Sequence, residues 1–308
     1  MQNPSFEHLA RRLQFPAAAA REQAEFNKRR LAAVERALRF RPQFFPLTHV
    51  MPGASQAAPI VETTDIVRYP VILTGAITNG ENREARFYRN RNQLSLTNYG
   101  NEPGLKLSLD AIAGHDVATA GYAGVKDFEH SLLVGEGDYL TLEIFDTALV
   151  SEIATCFNGV RCYRPDHAEA QLSQKDRDAV LQAIAGRPAP VQTYDVLKVE
   201  FDSALAGGKA LVTTPLNDEP VMILGHRTTL DAPCKVSFGY TENFGFSENP
   251  IPSWALLAEP LNAREVWNML PEPIFLAPRQ QLKYVVTNSL DDVVISSDGN
   301  IEVLKSTV

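Results

Sequence analysis

Residues 219–225 read Glu-Pro-Val-Met-Ile-Leu-Gly, an apolar run that begins after a proline and ends in a glycine. Residues 69–75, Tyr-Pro-Val-Ile-Leu-Thr-Gly, have the same pattern. After a long excursion, each run is followed by a short apolar segment, a tight turn and an alternating segment, at 132–144 and 274–286. Two regions with the same order of patterns predict two similar β-sandwich units. Coincidence is the alternative, because apolar strands beside proline are common in all-β proteins.

The segments around these runs alternate in polarity and are rich in β-branched and aromatic residues, which predicts further strands. Asn-Gly, Gly-Asn and Gly-Glu-Gly sequences separate them and are typical of turns. The predicted strands are 66–77, 84–96, 105–109, 131–134, 139–145, 194–201, 210–213, 221–230, 234–240, 274–276, 282–288, 293–296 and 301–304. The sequence therefore predicts a mainly β fold.

A helix between the two units is predicted for residues 168–185. Ser173 and Asp176 have the spacing of a capping box at the start of its main part, and Gly186 followed by Pro188 ends it. The predicted organisation is a helical arm and linker (1–60), a first β-sandwich unit (61–165), a connecting helix (166–190) and a second β-sandwich unit (191–308).

The N-terminal arm is predicted to be helical over residues 17–41 and to end at Pro42, with a shorter helix around 5–14 broken by Pro16. Three apolar residues form a narrow stripe along the main helix, and arginines occupy its other faces. A stripe this thin fits a segment laid against the body of the protein or against a neighbouring subunit. The predicted assembly arm consists of Arg29, Arg30, Leu31, Val34, Arg36, Leu38 and Arg39. Residues 46–60, rich in proline and small residues, are predicted to be an extended linker.

Charge is divided unevenly along the chain. Residues 1–50 hold nine Lys/Arg and four acidic residues, a net charge of +5; since the whole chain carries −8, the other 258 residues carry −13. A basic arm on an acidic body favours contact with an acidic neighbour, including another copy of the chain. Nucleic acid or an anionic membrane surface is the other partner open to the arm.

Motifs of the common enzyme classes are absent from the sequence, which has no G-x-S-x-G elbow, no phosphate loop and no H-E-x-x-H. The three cysteines, Cys156, Cys162 and Cys234, are too few and too scattered for a disulfide framework or a zinc site, so we expect reduced, mostly buried thiols. No apolar run approaches the roughly 20 residues that span a bilayer. The first residues also lack the regions of a signal peptide. We predict neither a metal nor a cofactor.

Two weaker chemical possibilities remain among the charged residues. His115-Asp116 and Asp166-His167 put a carboxylate beside an imidazole, but adjacent residues on a strand point to opposite faces. Glu143 and Glu200 each lie in an alternating strand, and a glycoside-cleaving sandwich places two such groups across a cleft. Isolated acids on strands are far more often exposed to solvent, so a carboxylate-based hydrolase is the least favoured function.

Residues 220–223 (Pro-Val-Met-Ile), 271–276 (Pro-Glu-Pro-Ile-Phe-Leu) and 282–289 (Leu-Lys-Tyr-Val-Val-Thr-Asn-Ser) resemble segments of jelly-roll structural proteins of phage virions. The basic arm ahead of two sandwich units is similar to the layout of double-jelly-roll coat proteins. The resemblance covers residues 217–305 well and 66–147 more loosely. The chain has few long insertions for a double jelly roll, which leaves open a vertex, collar or decoration protein.

This resemblance implies two tandem jelly-roll-like units and a structural, non-enzymatic role in a virus or phage particle, as a capsid or capsid-associated protein. It implies a homo-oligomer that contacts other particle proteins, is made in the host cytoplasm and resides in the virion, with no small-molecule substrate. The alternative function is a soluble β-sandwich module that binds carbohydrate or peptide.

Aromatic residues in the second unit are candidate interface anchors, because they lie in a region rich in proline and asparagine. They are Tyr240, Phe244, Phe246, Trp254 and Trp267. The alternative is a folded loop that packs its own aromatic side chains.

Overall fold

The computed structural model describes residues 6–50, 60–64, 67–78, 84–91, 107–108, 124–145, 152–200, 209–228, 234–240, 249–252, 267–288 and 299–308. Two α-helices lie in these ranges, α1 (Phe6–Arg39) and α2 (Gln174–Gly186), with a short 3₁₀ helix at Ala168–Ala170. The remaining regular structure of the described residues is strand. The prediction of a mainly β fold is therefore confirmed.

The strands fall into two consecutive groups of eight. The first strand set is β1 (Phe40–Val50), β2 (Ile60–Thr63), β3 (Val71–Thr78), β4 (Glu84–Arg91), β5 (Leu107–Ser108), β6 (Gly124–Val134), β7 (Asp138–Phe145) and β8 (Glu152–Cys162). The second strand set is β9 (Gln192–Val199), β10 (Lys209–Thr213), β11 (Val221–Thr228), β12 (Cys234–Tyr240), β13 (Asn249–Pro252), β14 (Asn268–Leu276), β15 (Leu282–Asn288) and β16 (Gly299–Thr307).

The strand order of the first set recurs in the second. The first set forms two four-stranded sheets in the orders β1-β8-β3-β6 and β2-β7-β4-β5. The second set forms sheets in the orders β9-β16-β11-β14 and β10-β15-β12-β13, which are the first orders with eight added to each strand number. All these pairings are antiparallel.

A register shift marks the same point in both sets. In β3 the pairing with both neighbours shifts between Leu73 and Gly75, and in β11 it shifts between Ile223 and Gly225. These strands contain the two apolar runs whose similarity the sequence shows. A bulge bends its strand and increases the local twist, so both sheets are shaped alike at this position.

Alternation explains why the strands bury one face. In β9, Leu197 and Val199 are buried and alternate with the exposed residues Val196 and Lys198, and in β16 Ile301 and Val303 are fully buried. Each such side chain contributes roughly 1.5–3 kcal/mol by leaving water. The described cores contain Val71, Leu73, Val134, Leu140 and Phe157 in the first set and Val199, Ile223, Ile274, Leu276, Leu282, Tyr284, Ile301 and Val303 in the second.

A threonine closes the same corner in each set. Thr64 N donates to Leu140 O at 2.9 Å, and Leu140 N donates to Thr64 Oγ1 at 3.0 Å. Thr214 and Leu282 make the same two hydrogen bonds, each 2.9 Å long. Both threonines thereby satisfy a backbone donor and acceptor that would otherwise end the ladder unpaired.

The turn beside each corner is also repeated, with different residues. Gly137 and Arg279 both have positive φ, +88° and +65°, and their amides donate to Val67 O and Asn217 O at 2.8 Å. Only glycine adopts this conformation without steric cost, so Arg279 is the more strained of the two.

The helix predictions were partly right. Ser173 caps α2 as predicted, because its Oγ accepts from Asp176 N at 3.1 Å, and the helix ends at Gly186. Residues 168–170 form a separate 3₁₀ turn capped by His167 rather than the first turn of α2. In the arm, α1 is one helix of 34 residues that contains Pro16, so the predicted break at this proline is wrong.

The predicted linker over 46–60 is wrong at both ends, because β1 extends to Val50 and β2 begins at Ile60. The prolines of this region favour a linker over a strand, yet β1 is an edge strand that pairs only with β8 in its sheet. Pro42 and Pro46 are four residues apart, so their missing N–H groups share one side of the strand. An edge strand tolerates proline when that side faces away from its neighbour.

Strands β8 and β13 were also missed, and β6 begins earlier than predicted, at Gly124. In β8 the Asn158-Gly159 pair reads as a hairpin turn. It lies instead in a central strand, where the absence of a side chain at Gly159 lets β3 pack closely on β8. A Cβ at this position would lie 2.8 Å from Val71 Cγ1 and 2.9 Å from Ile72 O. The predicted strand 293–296 lies outside the described residues.

Candidate assembly surface

The C-terminal half of α1 packs on the outer face of the sheet β9-β16-β11-β14. Val34, Ala37 and Leu38 are buried in a cluster that also contains residues of α2, β11, β14 and the last residue of the chain. The other members are Val180, Ile184, Met222, Phe275, Ala277 and Val308, with Leu31, Leu172 and Leu224 packed against them. The predicted apolar stripe of the arm therefore lies against the body of its own chain.

Arg30 fastens this helix to the cluster. It is only 7% exposed, and its guanidinium donates to Ile184 O at 3.3 Å, to Arg187 O at 2.7 Å and to Val308 O. Two of these carbonyls lie at the C-terminal end of α2, where the helix dipole favours a cation. Burial, and then the nearby Arg187, lower the pKa of Arg30.

The other arm residues have different surroundings. Arg36 is exposed and pairs with Glu272 of β14 through Nε, 3.1 and 3.2 Å from the two carboxylate oxygens, which raises the pKa of Arg36. Arg39 lies over the ring of Phe40 at 5.3 Å, and Arg29 is exposed. Their predicted role in assembly stays a prediction.

The preceding part of α1 lies outside this packing. Residues 18–29 are exposed, except Asn27, which is half-buried. Gln23 reaches the body through Pro188 O at 3.5 Å, just before β9. Because Arg36 contacts β14 and Gln23 contacts the segment that precedes β9, α1 runs from the β14 edge of the sheet toward the side of β9. At 1.5 Å per residue, residues 6–29 extend for about 36 Å.

Another part of this outer face carries exposed apolar side chains. Tyr194, Leu304, Gly225 and Met269 form one row across all four strands, and the Tyr194 and Met269 side chains are 59% and 58% exposed. Val196 in the next row is also exposed. Glu302 and Arg227 complete the row of Val196 and form an ion pair, so the exposed apolar side chains make a patch bordered by charges, which is typical of an interaction surface.

Of the predicted interface aromatics, the structure describes the surroundings of Trp267. This side chain is half-buried, its ring centroid is 6.1 Å from that of Tyr194, and the Arg227 guanidinium lies 4.7 Å from it. Tyr240 is the last residue of β12 and is paired with Leu282, but its side chain lies outside the description. Phe244, Phe246 and Trp254 lie outside the described residues.

A polar cluster at the end of β8 was not predicted from the sequence. Tyr163 OH donates to Glu169 Oε2 at 2.9 Å and accepts from Arg161 Nη1 at 3.0 Å, while Arg41 Nη1 lies 3.2 Å from the same carboxylate oxygen. His167 stacks on Tyr163 with the ring centroids 4.8 Å apart. Burial raises the pKa of Tyr163. The cluster joins β1, the end of β8 and the 3₁₀ helix, and His167 takes part in it by stacking and by capping the 3₁₀ helix.

A buried histidine lies between the two sheets of the second set. His226 of β11 is fully buried, and its Nδ1 is 2.6 Å from the hydroxyl of Tyr284 in β15. Burial lowers the pKa of His226 to about 3 and raises that of Tyr284 well above its ordinary value. Both groups are therefore neutral at physiological pH and hold the sheets together by a hydrogen bond.

Of the predicted carboxylate pair, the structure describes the surroundings of Glu200, which are not those of a general acid. Glu200 is exposed and pairs with Lys198 at 2.7 Å, which lowers its pKa, whereas a general acid needs a raised pKa. Glu143 lies in β7 of the first set, and its side chain lies outside the description.

Among the described residues, no group of three or more His, Cys, Asp or Glu side chains is arranged to hold a metal ion. Cys162 is a free, half-buried thiol. Neither helix in this part of the chain has the length and apolarity needed to cross a bilayer.

No known protein family and no curated protein matches the chain. Among solved structures, the PBSX exported protein XepA is 9% identical over 85% of this chain and 86% of that chain, with a TM-score of 0.22. A chain in the atomic structure of Sulfolobus Turreted Icosahedral Virus is 8% identical over 87% of this chain and 94% of that chain, with a TM-score of 0.22. A chain in the structure of the infectious bursal disease virus VP2 subviral particle is 11% identical over 87% of this chain and 71% of that chain, with a TM-score of 0.24. The last two are structures of virus particles, but all three TM-scores are low, so the fold is described from the strand pairing of this chain.

Proposed function

We propose that the chain is a structural protein of a virus or phage particle, built from two tandem jelly-roll units that self-associate. The observation that carries this proposal is the repeated strand order. A jelly roll has eight strands in two facing antiparallel sheets. The orders β1-β8-β3-β6 with β2-β7-β4-β5, and their repetition in the second set, fit this architecture twice. We place the units at residues 40–162 and 191–308, which moves β1 from the predicted linker into the first unit.

The contact between the two strand sets supports self-association. Strand β1 of the first set lies against β13 and β14 of the second. Its counterpart in the second set is β9, and the counterparts of β13 and β14 are β5 and β6. Repetition of this contact between copies would bring β9 of one copy against β5 and β6 of the next. Such head-to-tail contacts generate rings when the rotation closes.

The charges of the arm bear on its other partners. Arg30 and Arg36 are engaged within the chain, so the basic groups left for an acidic partner are in residues 1–29. Contact with other particle proteins, nucleic acid or an anionic membrane surface is a proposal for this segment alone.

Light scattering coupled to size-exclusion chromatography tests the proposal on the full chain. We expect a defined mass of several copies and, by electron microscopy, ring-like or shell-like particles. A mass of one chain at every protein concentration would contradict self-association. Microscopy of the parent particle would then locate the protein as a coat, vertex, collar or decoration component.

A further inference from the structure

The outer face of the first set carries a counterpart of the surface on which α1 packs. In the second set, Met222 and Phe275 are paired across β11 and β14 and are buried beneath the helices. In the first set, Ile72 and Leu133 are paired in the same way across β3 and β6. Pro70 and Pro220 precede these strands at equivalent places, because their carbonyls accept from Cys162 N and Val308 N respectively.

This counterpart is not covered to the same extent. Leu133 is 54% exposed and Ile72 is half-buried, whereas Phe275 and Met222 are 5% and 8% exposed. An apolar pair at a position that binds a helix in one half of the chain is suited to bind a helix in the other half.

The exposed part of α1 has the direction needed to reach such a surface on another copy. The helix runs from β14 past Pro188, which lies four residues before the edge strand β9, so a straight continuation before Gln23 leads away from the second set on the side of β9. The proposed head-to-tail contact brings β6 of the next copy to this edge.

The sequence of the first turns also suits an apolar surface. Positions 6, 9 and 13 are Phe, Leu and Leu, a spacing that places the three residues on one side of a helix. Arginines at positions 11 and 12 make this segment basic, which favours an acidic partner, and the chain beyond residue 50 is acidic.

From these observations we infer that residues 6–17 of α1 dock on β3 and β6 of a second copy, over Ile72 and Leu133. The inference rests on the proposed self-association and names the surface through which the arm acts. The second copy supplies to the first strand set the helix that α1 and α2 of the same chain supply to the second.

Photocrosslinking in the full-length protein tests the contact directly. Benzoylphenylalanine is placed at Leu13, and the assembly is formed from a mixture of ¹⁴N- and ¹⁵N-labelled chains. We expect mixed-isotope crosslinks between position 13 and peptides that contain Ile72 or Leu133. Crosslinks confined to one chain, or directed to the open row around Met269, would overturn the inference.

A pair of surface variants gives an independent test. Leu133→Lys is expected to raise the apparent dissociation constant of the assembly about tenfold, because it places a charge in an apolar contact. Leu216→Lys is the matched control, since this leucine between β10 and β11 is 61% exposed and lies outside both the proposed docking site and the row around Met269, and it is expected to change the constant less than about twofold. Circular dichroism melting of both variants verifies folding.

The outcomes separate the two proposals. Equal effects of Leu133→Lys and Leu216→Lys in a protein that still assembles would overturn the docking site and leave self-association intact. A wild-type protein that is monomeric throughout would overturn both.

Discussion

In the second strand set, Met222 and Phe275 lie beneath two helices, whereas their counterparts in the first set, Ile72 and Leu133, are half-buried and exposed. The backbone plan is the same in both sets, down to the bulge and the threonine corner. The difference lies in what covers the sheets. The repeated β-sheet therefore has two equivalent surfaces, and both helices cover the one in the second set, although α1 precedes the first set.

The largest expected effect is at Gly159 in β8, where neighbouring atoms leave no room for a side chain, and it is compared with Gly186, where there is room. Gly159→Val should destabilise the first set by about 4 kcal/mol, because a side chain there meets Val71 and the carbonyl of Ile72, a backbone atom that cannot give way cheaply. Chemical denaturation followed by circular dichroism measures this loss. Gly186→Ala is the control: nothing lies within 4 Å of its added Cβ, and stability should change by less than about 1 kcal/mol.

A second prediction concerns the cover of the second set. Arg30→Ala should cost about 3 kcal/mol, because it leaves carbonyls of Ile184, Arg187 and Val308 without their buried donor. Hydrogen exchange should show faster exchange of α1 amides around Val34 and Leu38. Arg29→Ala, at the exposed neighbouring position, should stay within about 0.5 kcal/mol of wild type. Equal effects of the two substitutions would contradict the role of Arg30 in holding the helix.

The third prediction uses the buried histidine. The folded protein holds His226 neutral with a pKa of about 3, while the unfolded chain binds a proton near the ordinary value of 6.5. The contribution of the neutral His226 to the free energy of unfolding is therefore constant above pH 6.5 and is lost as pH falls from 6.5 toward 3. Between pH 7 and pH 5 this should remove about 2 kcal/mol of stability.

Urea denaturation at both pH values measures the effect of His226. In the double variant His226→Leu/Tyr284→Phe this pH-dependent part should disappear. An unchanged difference between pH 7 and pH 5 in the double variant would assign the loss to other groups.

The smallest effect compares the two turns. Gly137→Ala should destabilise the protein by about 1 kcal/mol, because alanine is strained at φ +88°. Arg279→Gly should instead gain up to about 0.5 kcal/mol, since it relieves the strain at φ +65° but makes the unfolded chain more flexible. Thermal melting of both variants tests whether the two changes in stability have opposite signs. A loss of stability in Arg279→Gly as large as that in Gly137→Ala would contradict the expected strain at Arg279.

The sequence predicted the features that depend on local pattern. The two apolar runs lie in equivalent strands, Ser173 caps α2, and the bounds of β12 and β15 agree with the prediction. Local signals failed where tertiary pairing overrides them: prolines are tolerated in the edge strand β1, and Asn158-Gly159 lies inside the central strand β8.

The candidate surface was harder to predict than the fold. The sequence identified the arm and its apolar stripe, but an arginine on a helix is normally expected in solvent. The burial of Arg30 depends on carbonyls 154 to 278 residues away in the chain, which no local pattern reveals. Likewise, the exposure of Leu133 acquires meaning only through its counterpart Phe275 beneath the helices.

The junction of α1 and β1 has a mechanical consequence. The helix ends at Arg39 and the strand begins at Phe40, so no flexible connection separates them. A 34-residue helix is about 51 Å long, and it is held by Arg30 near its last third. Val34, Ala37 and Leu38 are buried beyond this point and Arg36 pairs with Glu272, so a load on the far end of the helix would be borne by residues 30–38 before it reaches β1. That strand is hydrogen-bonded to its own sheet through β8 and also lies against β13 and β14, so the junction would pass a load to both strand sets.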